Sequence, residues 1–223
     1  MASITIVPVN NLARGKILSP ERYDPRRTLA NDGLDKASIT IGEIAQVVKK
    51  TINPASKSSE GREFVVLDTS DVREGFVIGK KQPSAAKDIG STKKIFQQND
   101  VLISRLRPYL RQVAIVDEGF ANRFNNYELA CSTEFFVLRS LTDEPLDFLV
   151  PYLLSDKVQN ALFAAQEGGH HPRFDASVLL SIPIPESLIQ QRIVISESVR
   201  LAALAYRNSE ELIQRWVCTA NRY

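Results

Sequence analysis

The chain has 223 residues, 43% of them apolar and 24% charged, so it can bury a full hydrophobic core and is not expected to be disordered. Its two cysteines, Cys131 and Cys218, are too few for a disulfide framework or a zinc site. The apolar runs are far shorter than the roughly 20 residues of a membrane-spanning helix, and the first residues lack the pattern of a signal peptide. We therefore expect a cytoplasmic protein that does not contact a membrane.

The net charge of +2 hides an uneven distribution of basic residues. Residues 1–111 contain 19 Lys and Arg against 12 Asp and Glu, a balance of +7, whereas residues 112–223 contain 9 against 14, a balance of −5. The segment 76–111 alone has eight basic and two acidic side chains. Such a segment attracts a polyanion such as nucleic acid, although a face that serves only solubility would have the same composition.

The first two thirds of the sequence predict an α+β domain with a β-rich, mixed or antiparallel sheet and flanking helices. From Ile39 the pattern predicts a short strand that turns at Gly42 into one helical turn. Apolar runs predict strands at residues 64–67, 75–78, 100–104, 112–116 and 131–138. Residues 119–129 are polar and aromatic in an irregular order, and no element is predicted there.

Helical periodicity begins after Pro145. Apolar residues at intervals of three and four predict one or two helices between residues 148 and 163. The prolines at 183 and 185 exclude a continuing helix, so residues 178–185 are predicted to be extended.

The C-terminal region predicts one long helix. Residues 186 to about 217 contain neither Gly nor Pro, and a helix of this length would span about 45 Å. A heptad-like seam, in steps of four and three residues and interrupted by the polar Arg192 and Ser209, has the apolar members Leu188, Ile195, Val199, Ala202, Tyr206, Ile213 and Trp216. A second apolar set, Val194, Leu201, Leu204 and Leu212, lies partly off this seam. Two apolar faces favour a helix that packs on its own domain and on a partner helix, over a helix that only caps the domain.

Four segments in order resemble the specificity subunits of type I restriction-modification systems. Residues 99–114, with a basic turn around Pro108, are similar to a strand–basic turn–strand segment of that family. Residues 131–139 resemble the following strand, and residues 168–173 resemble its Gly-rich loop. Residues 182–193 resemble its passage into a long helix, and the leader 21–25 also fits.

The resemblance implies a DNA target-recognition domain, residues 1–185, followed by a spacer and dimerisation helix, residues 186–223. It implies that the chain binds double-stranded DNA for a DNA methyltransferase subunit, and for a restriction or translocase subunit where the system cleaves. Members of the family usually carry two recognition domains and two helices, whereas this chain has room for one of each. A half-length protein that forms a homodimer through its helix, a truncated chain, and a single-domain specificity protein of another methyltransferase system are three explanations. The heptad-like seam favours the first.

Residue chemistry suggests where DNA would be bound. Pro108 restrains the turn that carries Arg105, Arg107 and Arg111, and their planar guanidinium groups suit phosphate and guanine. Tyr109 would pack on a sugar or support the arginines. Surface arginines that only pair with nearby acids would give the same pattern. Phosphate contacts are expected from Lys80, Lys81, Lys93 and Lys94, and base contacts, by residue type alone, from Asn122 and Arg123, with Asn125 and Asn126 as further candidates.

The loop with two histidines suggests binding more than catalysis. His170 and His171 are adjacent beside Arg173, so their rings do not readily converge on one metal ion. Gly168 and Gly169 would let backbone amides approach a phosphate, although the histidines could equally serve to order the loop.

The sequence lacks the common motifs of methyltransferases, nucleotide-binding enzymes and serine hydrolases. It contains no glycine-rich fingerprint for a nucleotide or methyl-donor cofactor, no phosphate-binding loop, no serine nucleophile elbow and no amino-methyltransferase motif. We therefore expect a non-catalytic subunit without metal or cofactor. The alternative function is a protein-assembly module that acts through its C-terminal helix.

Overall fold

The structure is a computed structural model that describes Ile6 and residues 39–78, 80–142, 144–168 and 170–220. The leader at 21–25 lies outside the described residues. The described strands are β1 (Ala45–Val47), β2 (Thr51–Ile52), β3 (Glu63–Leu67), β4 (Val72–Arg73), β5 (Phe76–Val77), β6 (Ser84–Ala85), β7 (Lys93–Ile95), β8 (Val101–Ser104), β9 (Val113–Ile115), β10 (Glu128–Cys131) and β11 (Phe135–Ser140). The described α-helices are α1 (Ile41–Ile44), α2 (Glu118–Arg123), α3 (Leu149–Leu154), α4 (Asp156–Ala164), α5 (Ala176–Leu180), α6 (Glu186–Gln190) and α7 (Arg192–Ala220).

Two sheets form the centre of the molecule, which confirms the predicted α+β class. The first is antiparallel, with the strand order β1-β11-β8-β9. The second has the order β2-β7-β10-β3-β6 and is mixed, because β10 and β3 run parallel. Strands β4 and β5 form a separate antiparallel pair.

The first sheet is buried on both faces. Along β8, Val101 and Ile103 point into a core shared with α3, α4 and α5, while Leu102 points into the core between the two sheets. In the same way Phe136 of β11 faces the helices and Val137 faces the second sheet. This alternation follows from the two-residue period of a strand, and apolar residues on both faces explain why these runs are continuously hydrophobic.

Three local predictions are wrong. Near the beginning the order is reversed: α1 precedes β1, because Glu43 accepts a hydrogen bond from the backbone N–H of Thr40 (2.6 Å) and so caps a helix at this point. In the stretch where no element is predicted, Asp117 accepts from the N–H of Phe120 (2.9 Å) and begins α2. The third is the extended segment, because residues 176–180 form α5 and only the proline-containing end is extended.

Two elements differ from their predicted lengths. The single strand predicted over 131–138 is divided between β10 and β11, which belong to different sheets. The long C-terminal helix is confirmed, but it is interrupted at Gln191, so that a short α6 precedes the 29-residue α7. The domain boundary after residue 185 stays a prediction.

Two arginine ion pairs fasten the long helix to the domain. Arg207 of α7 is 4% exposed, and its guanidinium donates to the carboxylate of Asp117 (2.6 Å), to Glu210 (2.7 Å) and to the carbonyl of Val77 (2.7 Å). Two turns earlier along the same face, Arg200 pairs with buried Asp147. Beyond Glu210 the side chains of α7 are almost all exposed, so its last turns extend past the domain.

No helix among the described residues is long and apolar enough to cross a membrane.

Arg207→Ala should strongly destabilise the protein, because it leaves the Asp117 carboxylate at the interface without its main partner. Loss of one member of a buried ion pair costs about 3 to 5 kcal/mol, which should be measurable as a lower free energy of unfolding in urea. Arg192→Ala is the matched control, since Arg192 pairs with a half-exposed Glu144, and an exposed pair contributes at most about 1 kcal/mol. Equal effects of the two substitutions would show that Arg207 does not fasten the helix.

Candidate nucleic-acid interface

The basic turn, residues 105–111, joins two buried strands. Strands β8 and β9 form an antiparallel hairpin in which Ile103 lies opposite Val113. Inside the turn, Pro108–Leu110 form one turn of 3₁₀-helix, and Pro108 is buried against α4. The hairpin therefore presents this turn from a fixed base.

The basic turn meets the glycine loop, residues 168–173, although more than 50 residues separate them in the sequence. Leu106 and Arg173 form an antiparallel bridge between the two segments. The backbone N–H of Phe174, which follows the loop, donates to the carbonyl of Arg105 (3.4 Å). The structure thus brings together two of the segments predicted to bind DNA.

Glu134, in the turn between β10 and β11, holds the two segments together. Its carboxylate accepts a hydrogen bond from Nε of Arg105 (2.9 Å) and two from the guanidinium of Arg173 (2.9 and 2.8 Å). The hydrogen bonds from Arg173 are the main cause that lowers the pKa of Glu134 to about 2; burial opposes them, and a hydrogen bond from Arg105 adds a smaller lowering effect. Glu134 therefore stays ionised, fixes both guanidinium groups and cancels one of their two charges.

Most of the predicted lysines are bound to the protein itself. The ammonium of Lys94 donates to the carbonyl of Phe135 (2.6 Å) and lies 5.2 Å from the ring centre of Phe136. Burial is the main cause that lowers the pKa of Lys94. Lys93 donates to Ser91 (2.6 Å) and Lys81 pairs with Asp71 (2.6 Å), whereas Lys80 is exposed. Their role as phosphate contacts stays a prediction.

The side chains of the basic turn divide into anchored and accessible ones. Arg111 donates to the carbonyl of Leu154 (3.0 Å) and pairs with Asp156, so it fastens the turn to α3 and α4. Arg107 is exposed and has no side-chain hydrogen bond or ion pair within the described part of the chain. Tyr109 is also exposed, at 61%.

The glycine loop presents its two histidines to solvent. His170 and His171 are exposed, and their rings meet edge to face at 4.9 Å between centres. The described residues contain no group of three metal-ligating side chains around them or elsewhere.

Asn122 and Arg123 do not join this surface. They belong to α2, which is capped by Asp117, just beyond the end of β9, so they lie at the opposite end of the hairpin from the basic turn. Arg123 faces α7, with its guanidinium 3.9 Å from both Glu210 and Glu211. The structure gives no contact that would test their predicted contacts to bases.

The residues of the predicted heptad-like seam do not share one environment: some pack against the domain and others are exposed to solvent. Leu188, Ile195 and Val199 pack against the core of the chain itself, and Tyr206 stacks on Phe76 with ring centres 4.6 Å apart. Other members of the seam, Ala202, Ile213 and Trp216, are exposed. The second apolar set is exposed as well, at 64% for Val194, 67% for Leu201, 57% for Leu204 and 53% for Leu212.

Sequence reasoning missed two features of these surfaces. Glu134 is a single acid in a short turn, and no local pattern marks it as the partner of two distant arginines. A cavity of about 570 Å³ between the far end of the hairpin and α7 was also missed. Its lining includes Asp117, Asp147, Leu201 and Leu204, which converge only after the helix has docked.

The described fold is similar to that of solved chains of type I restriction-modification systems, as the sequence resemblance predicted. A chain from a structure that explains complex assembly and conformational transition of the type I R-M system is 24% identical, with a TM-score of 0.57 over 84% of this chain and 50% of that one. The HsdS subunit from Thermoanaerobacter tengcongensis is 23% identical, with a TM-score of 0.57 over 82% of this chain and 45% of that one. This chain therefore spans about half the length of the solved chains it matches.

At this level of identity the likeness establishes the fold. A scan against protein-family models and a search of curated proteins found no match.

Glu134→Gln should reduce stability in a pH-dependent way. The pKa of Glu134 in the folded protein, about 2, lies below its ordinary value of 4.5, so its stabilising effect is complete above pH 4.5 and is lost as the pH falls through 2. The difference in melting temperature between the wild type and Glu134→Gln should therefore shrink across that interval. Glu60→Gln changes an exposed carboxylate and should follow the wild type. A difference that is constant with pH would contradict the ion-pair account.

Proposed function

We propose that this chain is a sequence-specific DNA-binding specificity subunit that directs a partner DNA methyltransferase to its target. The observation that carries the proposal is the convergence of the basic turn and the glycine loop on Glu134, in a fold shared with type I specificity subunits. A restriction or translocase subunit would be a further partner where the system cleaves. Residues 1–185 would bind DNA, and residues 186–223 would space and pair the recognition domains.

The geometry supports different roles for Arg105, Arg107 and Arg173. Arg107 offers a guanidinium with no competing partner among the described residues, so it would contact a phosphate at the least cost in desolvation. Arg105 gives only its Nε to Glu134, which leaves its two terminal nitrogens as donors. Arg173 gives its Nε and one terminal nitrogen to Glu134 and the other to the carbonyl of His171, so it mainly positions the loop.

The partner subunit would supply the chemistry. Phosphate contacts fix the position of a protein on the duplex, and contacts to base edges then give specificity. The described surface would offer the first kind through Arg105 and Arg107. It would thus hold DNA in register for an enzyme that modifies it.

Duplex binding across a salt series tests the proposal. Wild-type protein, alone or with its methyltransferase, should bind duplex DNA with an affinity that falls as salt rises. Arg107→Ala should weaken binding and reduce the slope of log K against log salt by about 1, because one phosphate contact is lost. Arg215→Ala, an exposed arginine in the last turns of α7, is the matched control and should leave both unchanged. Affinity that is absent or indifferent to salt would refute DNA recognition.

The exposed apolar side chains of α7 favour a second function for the helix, the pairing of two copies. Val194, Leu201 and Leu212 follow one another at intervals of 7 and 11 residues, which places them on the side of the helix away from Arg207 and the domain. A second α7 would cover this stripe, as in a coiled coil. We therefore include a homodimer through the C-terminal helix in the proposal.

Leu201→Glu combined with Leu212→Glu should abolish self-association, because the two charges would be buried without partners in the paired helices. Sedimentation velocity would measure the change from dimer to monomer. Asn160→Glu combined with Ser177→Glu adds the same charge to exposed positions of α4 and α5 and should leave the dimer intact.

The same stripe also supports the alternative function, a protein-assembly module without DNA binding. The two functions differ in one observable. Self-association that requires α7, with no duplex binding in the salt series, would support the assembly module and remove the recognition function.

A further inference from the structure

The tip of the basic turn carries two exposed apolar side chains. Tyr109 is 61% exposed and the neighbouring Leu110 is 44% exposed. A single exposed apolar residue is ordinary on a protein surface. Here two consecutive ones stand at the end of a turn whose other long side chains are arginines, which suggests that they serve an encounter with another molecule.

The turn that presents them is held from several sides. The N–H of Leu110 donates to the carbonyl of Arg107 (2.8 Å), and the N–H of Arg111 donates to the carbonyl of Pro108 (2.8 Å). Below the tip, Pro108 is buried beside Gln159 and Leu162 of α4. The guanidinium of Arg111 is fixed by α3 and α4 as described above. Tyr109 and Leu110 are therefore pushed outward from a pre-formed support.

The backbone at both ends of the tip is in an unfavourable conformation. Arg107 has φ of +46° and Arg111 has φ of +49°, in the left-handed region that residues with a Cβ rarely adopt. Such strain persists only where the surrounding structure imposes it, and it is concentrated at functional sites.

Resting on the proposed DNA recognition, we propose that Tyr109 and Leu110 form a wedge that inserts between two adjacent base pairs of the bound duplex. The ring of Tyr109 stacks on an exposed base, and Leu110 fills the opening beside it. Arg107 and Arg105 bind the phosphates next to the opened step. The chain then recognises how easily a step opens as well as its base edges, so the step at the wedge is a flexible pyrimidine–purine step.

Charge around the wedge favours DNA over a protein partner. Arg105, Arg107, Arg111 and Arg173 lie in or beside the basic turn, against two described carboxylates, Glu134 and Asp156, each of which is already bonded to arginine. The field at the tip is therefore positive, which suits a polyanion.

The test uses the full chain and a duplex that it selects from a random-sequence pool. Adenines of the selected duplex are replaced in turn by 2-aminopurine, whose fluorescence rises when it is unstacked. Wild-type protein should raise the fluorescence several-fold at the positions of one pyrimidine–purine step. Tyr109→Ser combined with Leu110→Ser should abolish that rise and weaken binding about tenfold, the size expected for loss of base stacking, while the salt slope stays the same.

A mismatch at the same step gives an independent readout. A mismatched step is already partly open, so the serine double variant should regain most of its affinity on the mismatched duplex. Arg107→Ala is the matched control: at saturation it should keep the fluorescence rise, but with a salt slope smaller by about 1. Circular dichroism should show an unchanged fold, since the two replaced side chains are exposed.

Several outcomes would overturn the wedge. Wild-type binding without a fluorescence rise at any position, or a serine double variant with unchanged affinity and fluorescence, would each refute it while leaving DNA recognition in place. If the double variant keeps its DNA affinity but no longer binds the methyltransferase, the tip is a protein-docking surface and the wedge is wrong. If no duplex is selected at all, the proposed DNA recognition fails, and the wedge fails with it.

Discussion

The β8–β9 hairpin is buried on both faces, and the positions of the other functional elements depend on it. Val101, Ile103 and Val113 face the helices, while Leu102 and Ala114 face the second sheet. Because a shift of one residue would exchange the side chains of the two cores, the register of this hairpin is fixed by packing. One end of it holds the basic turn, and the other end holds Asp117, which receives the long helix. A few strongly buried residues of the hairpin therefore fix the position of the basic turn relative to the docking site of the long helix.

Carboxylates decide which arginines are available to a ligand. Glu134 holds Arg105 and Arg173, Asp117 holds Arg207, and buried Asp100 holds Arg139 through two hydrogen bonds (2.8 and 2.7 Å). Burial is the main cause that raises the pKa of Asp100, and the hydrogen bonds from Arg139 oppose it. An arginine bound in this way supports structure, whereas an unpaired one such as Arg107 attracts an anion. The number of basic residues thus overstates the positive charge that DNA would meet.

In the proposed function, the long helix would connect DNA recognition with the pairing of two copies. Its buried side is fixed by Arg207 and by the stacking of Tyr206 on Phe76, and its outer side leaves Leu201 and Leu212 in solvent. A partner helix on that outer side would therefore meet a surface whose direction is set by the recognition domain. In the proposed dimer, this rigid link would fix the separation of the two DNA-binding surfaces, and with it the spacing of the two half-sites.

The sequence by itself determined the class of the fold and the main segments of the site. Strong local signals were sufficient for β3, β8 and β9, for the helices after Pro145, and for a long C-terminal helix without Gly or Pro. The ordered segments around Pro108 and the glycine loop also predicted the likeness to type I specificity subunits. These features depend on periodicity and on residue type, which are local properties of the chain.

Only the tertiary structure decided which of the predicted residues act together. It brought Arg105 and Arg173 to Glu134, moved Asn122 and Arg123 to the far end of the hairpin, and divided the helical seam into a buried and an exposed side. Of the strand predicted over 131–138, Cys131 ends β10 and residues 135–138 belong to β11, because these two strands pair in different sheets. The physical reason is the same in each case: ion pairs, sheet pairing and helix docking join residues that are distant in the sequence, and no local pattern records them.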